Sequence, residues 1–179
     1  MLFSRKDIAD YINATFEPVW ISVRPVPKVE IDFGNGRKVT RTLHGNIATY
    51  ICTSQGMVFD ILPGIYDPAQ YRAQLEAIAG ALAQTGGRKD AMFTYHRQQL
   101  RKVHEPVPTT LPVGFTGIFG ELLTDSRINE SSRRIQIHRI LQSRPVTPES
   151  IKIELYRDIL HADITDPYLG VDKEISYSF

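Results

Sequence analysis

Residues Ile47 to Leu62 narrow the choice of folds more than any other stretch of this chain. Ile47 to Thr53 is rich in β-branched and aromatic residues, the composition of a strand. Ser54-Gln55-Gly56 is a turn signal, and Met57 to Leu62 returns as a second apolar run before Pro63-Gly64. Strands joined by so short a loop must run antiparallel. The chain must therefore build a sheet and find apolar cover for it.

The flanking sequence supplies that cover. Ser4-Arg5-Lys6-Asp7 reads as a helix start with Ser4 as N-cap, and Ile8, Tyr11, Ile12 and Phe16 then share one helical face. Val19, Trp20, Ile21 and Val23 form a short apolar run that predicts a buried strand, stopped by Pro25 and Pro27. Val29 to Asp32 and Lys38 to Thr42 flank Gly34-Asn35-Gly36 and predict a hairpin. Asp67-Pro68 opens a helix, because Asp67 can cap free amides and proline's missing N–H costs nothing at the first position. Tyr71, Leu75, Ile78 and Leu82 are its apolar stripe, Tyr66 against Tyr71 is spaced as a hydrophobic staple, and Gly86-Gly87 ends it.

Beyond residue 87 the pattern turns helical. Residues 88–104 predict a helix that is basic on one side, and residues 105–117, with Pro106, Pro108, Pro112, Gly114 and Gly117, predict a linker or surface loop. Asn129 to Gln142 reads as a helix broken by Pro145, and Thr147-Pro148-Glu149 caps another that turns Ile151, Leu155, Ile159 and Leu160 inward. The expected class is α/β, with a core over residues 1–87 and a mostly helical region over 88–179 packed on or beside it.

Composition bounds the function. A net charge of +1 over 179 residues provides no whole-molecule field to draw nucleic acid or an anionic membrane. The single cysteine, Cys52, rules out an internal disulfide, a CxxC pair and multi-cysteine zinc sites. The N-terminus turns charged too early for a signal peptide, and no apolar run approaches a membrane span, so a soluble cytoplasmic protein is expected.

The segments "FEPVWISVRPVP" and "RTLHGNIATYICTSQGMVFDILPGIYDP", with the helix after them, resemble the uncharacterised bacterial thioredoxin-like proteins of planctomycetes and related groups. The resemblance covers roughly the first half of the chain. It implies a thioredoxin-like mixed sheet with flanking helices, extended here by a helical C-terminal region. Two features of that family have no counterpart in the sequence. The first strand and the cysteine motif after it are missing, since the chain opens near the helix that would follow them. The cis-proline that faces substrate is replaced, aligned on Gly45, by Ile47; a non-proline cis bond would cost roughly 3–4 kcal/mol, so a trans peptide is expected there.

Candidate chemistry is thin. Cys52 lies mid-strand, away from any helix N-terminus or cation that would lower a thiol pKa, and reads as inert and buried. His44, Gly45 and Asn46 occupy the loop where the resemblance implies substrate binding, and also suit a turn that pins the sheet. Of five histidines, His96 and His104 stand about 80° apart around a helix, a poor geometry for sharing an ion, and no HxH, HxxxH or HExxH motif occurs, so no metal and no cofactor are expected. Arg97 and Arg101 on one helix, with Arg133, Arg134 and Arg139 on another, form a candidate basic patch for phosphate or an acidic partner; the near-neutral charge argues against nucleic acid. The expected function is that of a redox-inactive thioredoxin-like domain in protein–protein interaction or self-association, with homo-oligomer formation. The alternatives are a thiol-disulfide or peroxide-handling enzyme that needs an upstream segment or a reactive Cys52, and an anion or nucleic-acid binder using the basic helices.

Overall fold

The computed structural model describes residues 2–25, 28–42, 47–64, 66–103 and 118–167. It is a mixed α and β protein, with two small antiparallel sheets and five α-helices among the described residues. The chain divides into two compact units, one of Met1–Ile47 with Ile151–Phe179, the other of Ala48–Ser150. Residues on both sides of position 87 lie within the second unit.

In the first unit, helix α1 (Lys6–Thr15) starts one residue later than Ser4 predicts. Its N-cap is Arg5, which makes no side-chain cap bond; Arg5 instead clasps Asp7 at 3.0 Å, and that exposed pair takes the place of the expected cap. Strands β1 (Lys28–Asp32) and β2 (Lys38–Thr42) form the hairpin that Gly34-Asn35-Gly36 predicts. Both glycines have positive φ, 73° and 79°, which a side chain would strain. Asp32 Oδ1 accepts from the Gly34 amide at 2.9 Å and Asn35 Oδ1 from the Arg37 amide at 3.1 Å, so the loop satisfies its own backbone.

The Val19–Val23 run does not form the predicted strand. It has no regular secondary structure, and Val19, Trp20 and Ile21 stand 81%, 86% and 65% exposed. Strand propensity describes fit to a paired, half-covered surface, and among the described residues no strand pairs with this run. What anchors its end is Arg24, whose guanidinium donates to the backbone carbonyls of Ile164, Asp166 and Pro167.

The second unit is built on strands β3 (Ala48–Cys52) and β4 (Val58–Pro63), joined by the short turn that Gly56 closes at φ 76°. Ala48 faces Pro63 and Ile51 faces Asp60, but Cys52 faces Val58, so Phe59 is an extra residue in β4. Such a bulge breaks strict alternation, and every residue of β4 is buried, including the charged Asp60. Helix α2 (Pro68–Thr85) begins and ends as its sequence predicts. Asp67 Oδ1 accepts from the amides of Ala69 and Gln70, and Gly86 takes the left-handed conformation at φ 59°. Tyr71, Leu75 and Ile78 face inward, and the Tyr71 hydroxyl meets Thr49 Oγ1 of β3 at 3.0 Å. Helix α3 (Lys89–Val103) packs against α4 (Ile118–Ser143), and α4 packs on β4. Helix α4 runs well N-terminal of the predicted Asn129 start, and ends before Pro145 as predicted.

The following helix, α5 (Pro148–Glu154), opens with a reciprocal cap: Thr147 Oγ1 accepts from the Ser150 amide at 3.3 Å while Ser150 Oγ accepts from the Thr147 amide at 2.9 Å. It widens into a π-helical turn (Leu155–Ile159), and Ile151, Leu155, Ile159 and Leu160 are all buried, as their spacing predicts. Among the described residues no helix is long and apolar enough to cross a membrane.

Candidate functional site

Of the candidate site residues that the sequence singles out, the structure describes Cys52 and the five arginines. His44, Gly45 and Asn46 lie outside the described residues, as do His104, the 105–117 segment and the peptide bond that precedes Ile47. Cys52 is a free thiol, half-buried in β3, and burial pushes its pKa above the ordinary value. One of the five arginines leaves the basic patch. Arg97 and Arg101 are exposed on α3, Arg139 is exposed on α4, and Arg133 is half-buried. Arg134 is no patch residue at all: its side chain is only 11% exposed and turns into the unit's core. Helical periodicity decides this, because Arg134 shares a face of α4 with His138 and Leu141, and both of those are buried.

What receives Arg134 is Asp60, fully buried on β4 just after the bulge. Arg134 Nη1 meets Oδ1 at 2.7 Å and Nη2 meets Oδ2 at 2.8 Å, a bidentate clasp that also reaches the Ile61 carbonyl. The Ile61 amide donates to Oδ1 at 2.8 Å, and the Tyr95 hydroxyl donates to Oδ2 over a long 3.4 Å. Burial alone would raise the Asp60 pKa, but the Arg134 charge and its hydrogen bonds outweigh that and hold the carboxyl at about 2. Asp60 is therefore an anion inside the fold, neutralised by one specific cation.

Two histidines complete the cluster. His96 follows Tyr95 on α3 and His138 lies one turn after Arg134 on α4; the packing of α3 on α4 brings their Nδ1 atoms to 3.0 Å. At that distance one Nδ1 carries a hydrogen and the other a lone pair. Burial lowers both pKa values against the pull of Asp60, that of His138 to about 3, so both rings are neutral at pH 7. Their setting is aromatic. The Phe59 ring, which the bulge adds, stacks on Tyr95 with centroids 5.0 Å apart, and the Tyr95 ring meets His96 edge-on at 5.0 Å. Burial, then the Asp60 charge, raises the Tyr95 pKa, so its phenol stays protonated. One oxygen of Asp60 and one nitrogen from each histidine all fall within 4.8 Å of one another.

Sequence reasoning found His96 but paired it with His104, and it found Arg134 but placed it in solvent. Asp60 passed unnoticed. The one signal it offers is an acid in the middle of an apolar run, Val58-Phe59-Asp60-Ile61-Leu62, where a charge needs a buried partner.

No family model matches the chain, and no curated protein and no solved structure matches it.

Proposed function

We propose that this chain is a redox-silent, thioredoxin-like module of the cytoplasm that works by binding protein, foremost a second copy of itself. The observation that carries the reading is the exposed run Val19-Trp20-Ile21, three consecutive large apolar side chains outside any helix or strand. Single exposed apolar residues are ordinary, whereas a contiguous apolar surface marks an interaction site. Among the described residues no strand pairs with this run, so association by strand addition is open to it. The state of Cys52 supports the redox-silent half of the reading: a half-buried thiol whose pKa burial raises holds its proton at neutral pH and makes a poor nucleophile.

Trp20 is the chain's one tryptophan, so its fluorescence reports on this run directly. Sedimentation equilibrium and emission spectra over a concentration series test the proposal together. Self-association predicts that mass rises and emission shifts to the blue in step, and that Ile21→Lys abolishes both changes. A monomer at every concentration, with solvent-exposed emission throughout, refutes self-association.

A further inference from the structure

The buried cluster of Asp60, His96 and His138 does more chemistry than a core needs. A neutral histidine pair and a salt-bridged carboxylate could each be satisfied alone, yet the fold converges one ligand atom from each within 4.8 Å. We propose that these three side chains form a binding site for a late first-row divalent cation, of which zinc and cobalt are the practical examples.

The donor set is the first argument. Two imidazole nitrogens and one carboxylate oxygen are the ligands that zinc and cobalt accept, and are too nitrogen-rich for calcium or magnesium, which take oxygen. Both imidazoles present the same atom, Nδ1, with the two atoms 3.0 Å apart. Two nitrogens on one tetrahedral zinc, each at about 2.0–2.1 Å, stand a little over 3 Å apart. The histidine pair is thus already set close to the spacing of two ligands on one ion.

The bonding at Asp60 is the second argument. Each carboxylate oxygen has two lone pairs. Oδ1 spends both on close donors, Arg134 Nη1 at 2.7 Å and the Ile61 amide at 2.8 Å. Oδ2 has one close donor, Arg134 Nη2 at 2.8 Å, and its other contact is the Tyr95 hydroxyl at a long 3.4 Å. Oδ2 therefore keeps acceptor capacity, and Tyr95 lies beside both histidine rings. A cation taking that lone pair leaves the Arg134 clasp whole. Arg134 then acts as the outer partner that fixes a ligating carboxylate, a role such groups commonly fill. The third argument is His96 Nε2, buried with no hydrogen-bond partner. Once Nδ1 binds an ion, the hydrogen must sit on Nε2, the position from which a ligating imidazole donates to an outer acceptor.

Arg134 also limits the site. Its charge already neutralises Asp60, so the ion adds uncompensated charge to a buried place, and affinity is lower than for a zinc site with more anionic ligands.

The test uses the full chain, stripped with EDTA and titrated with Co2+ and then Zn2+. The expected result is one equivalent of Co2+ with a ligand-field absorption band, displaced by Zn2+, and a rise in thermal midpoint with either ion. His138→Phe and His96→Phe should each abolish the band, while His161→Asn leaves it intact. Because a cluster variant can fail to fold, the wild-type chain is also followed by long-range imidazole 1H–15N spectra. Zn2+ should move the Nδ1 resonances of two histidines only, the pair whose rings show mutual through-space contacts. Absence of the band and of the thermal shift overturns the proposal. So does a band that survives both cluster substitutions, or zinc shifts confined to other histidines.

Discussion

Replacing Arg134 by methionine isolates the energetics of the buried cluster. Asp60 is fully buried and the Arg134 side chain nearly so, so solvent cannot stand in for either partner. Removing one member of such a pair costs about 3–5 kcal/mol, because an uncompensated charge remains inside. The pH dependence gives the prediction its sign. In the wild-type chain Asp60 falls from an ordinary 3.8 to about 2. At 1.36 kcal/mol per tenfold change in proton affinity that is about 2 kcal/mol of stability. Because the folded value is the depressed one, this contribution is complete above pH 3.8 and is lost as pH falls through about 2. Without Arg134, burial, the largest influence on Asp60, is opposed mainly by the Ile61 amide and the Tyr95 hydroxyl, and the folded pKa should rise above 3.8. The variant then gains stability on acidification where the wild type loses it, and the gap between them narrows as pH falls. Urea unfolding of both chains in EDTA, from pH 7 to pH 3, measures this gap. The double variant Asp60→Leu, Arg134→Met should recover part of the loss, short of about 1–3 kcal/mol for the Ile61 amide and carbonyl that Asp60 and Arg134 serve. A single variant less than 1 kcal/mol below wild type, or a gap that does not change with pH, would refute this account of the cluster.

Other perturbations test the frame around it. Asp67→Ala removes the side-chain acceptor of two α2 amides and should cost about 1 kcal/mol in urea unfolding. Ile137→Ala, at a fully buried position of α4, should cost about 2–5 kcal/mol, whereas Arg139→Ala two residues on, at an exposed position, should change stability by less than about 0.5 kcal/mol. The Cys52 thiol should react with a small disulfide reagent far more slowly in the native chain than in urea; native reactivity as fast as the denatured rate would revive a thiol mechanism.

Most local structure of this protein was legible in its amino-acid order, because the information was local. The bounds of α2, the Gly34-Asn35-Gly36 hairpin, the antiparallel pairing of β3 with β4 and the inward face from Ile151 to Leu160 follow from capping side chains, glycines at positive φ and apolar spacing. Each is a property of a few neighbouring residues. The Val19–Val23 run shows the limit, since its composition is that of a strand but a strand exists only when another pairs with it. The buried cluster lies wholly on the far side of that limit. Asp60 and Arg134 are 74 positions apart, and His96 and His138 are 42 apart. Only the packing of α3 on α4 and of α4 on β4, with Phe59 added to the strand, turns four polar side chains toward one point. Sequence alone fixes which residues can carry charge or hold a proton. Which of them meet, out of water and close enough to act together, is decided by burial, since apolar surface drives the elements together and the polar groups caught between them must find one another.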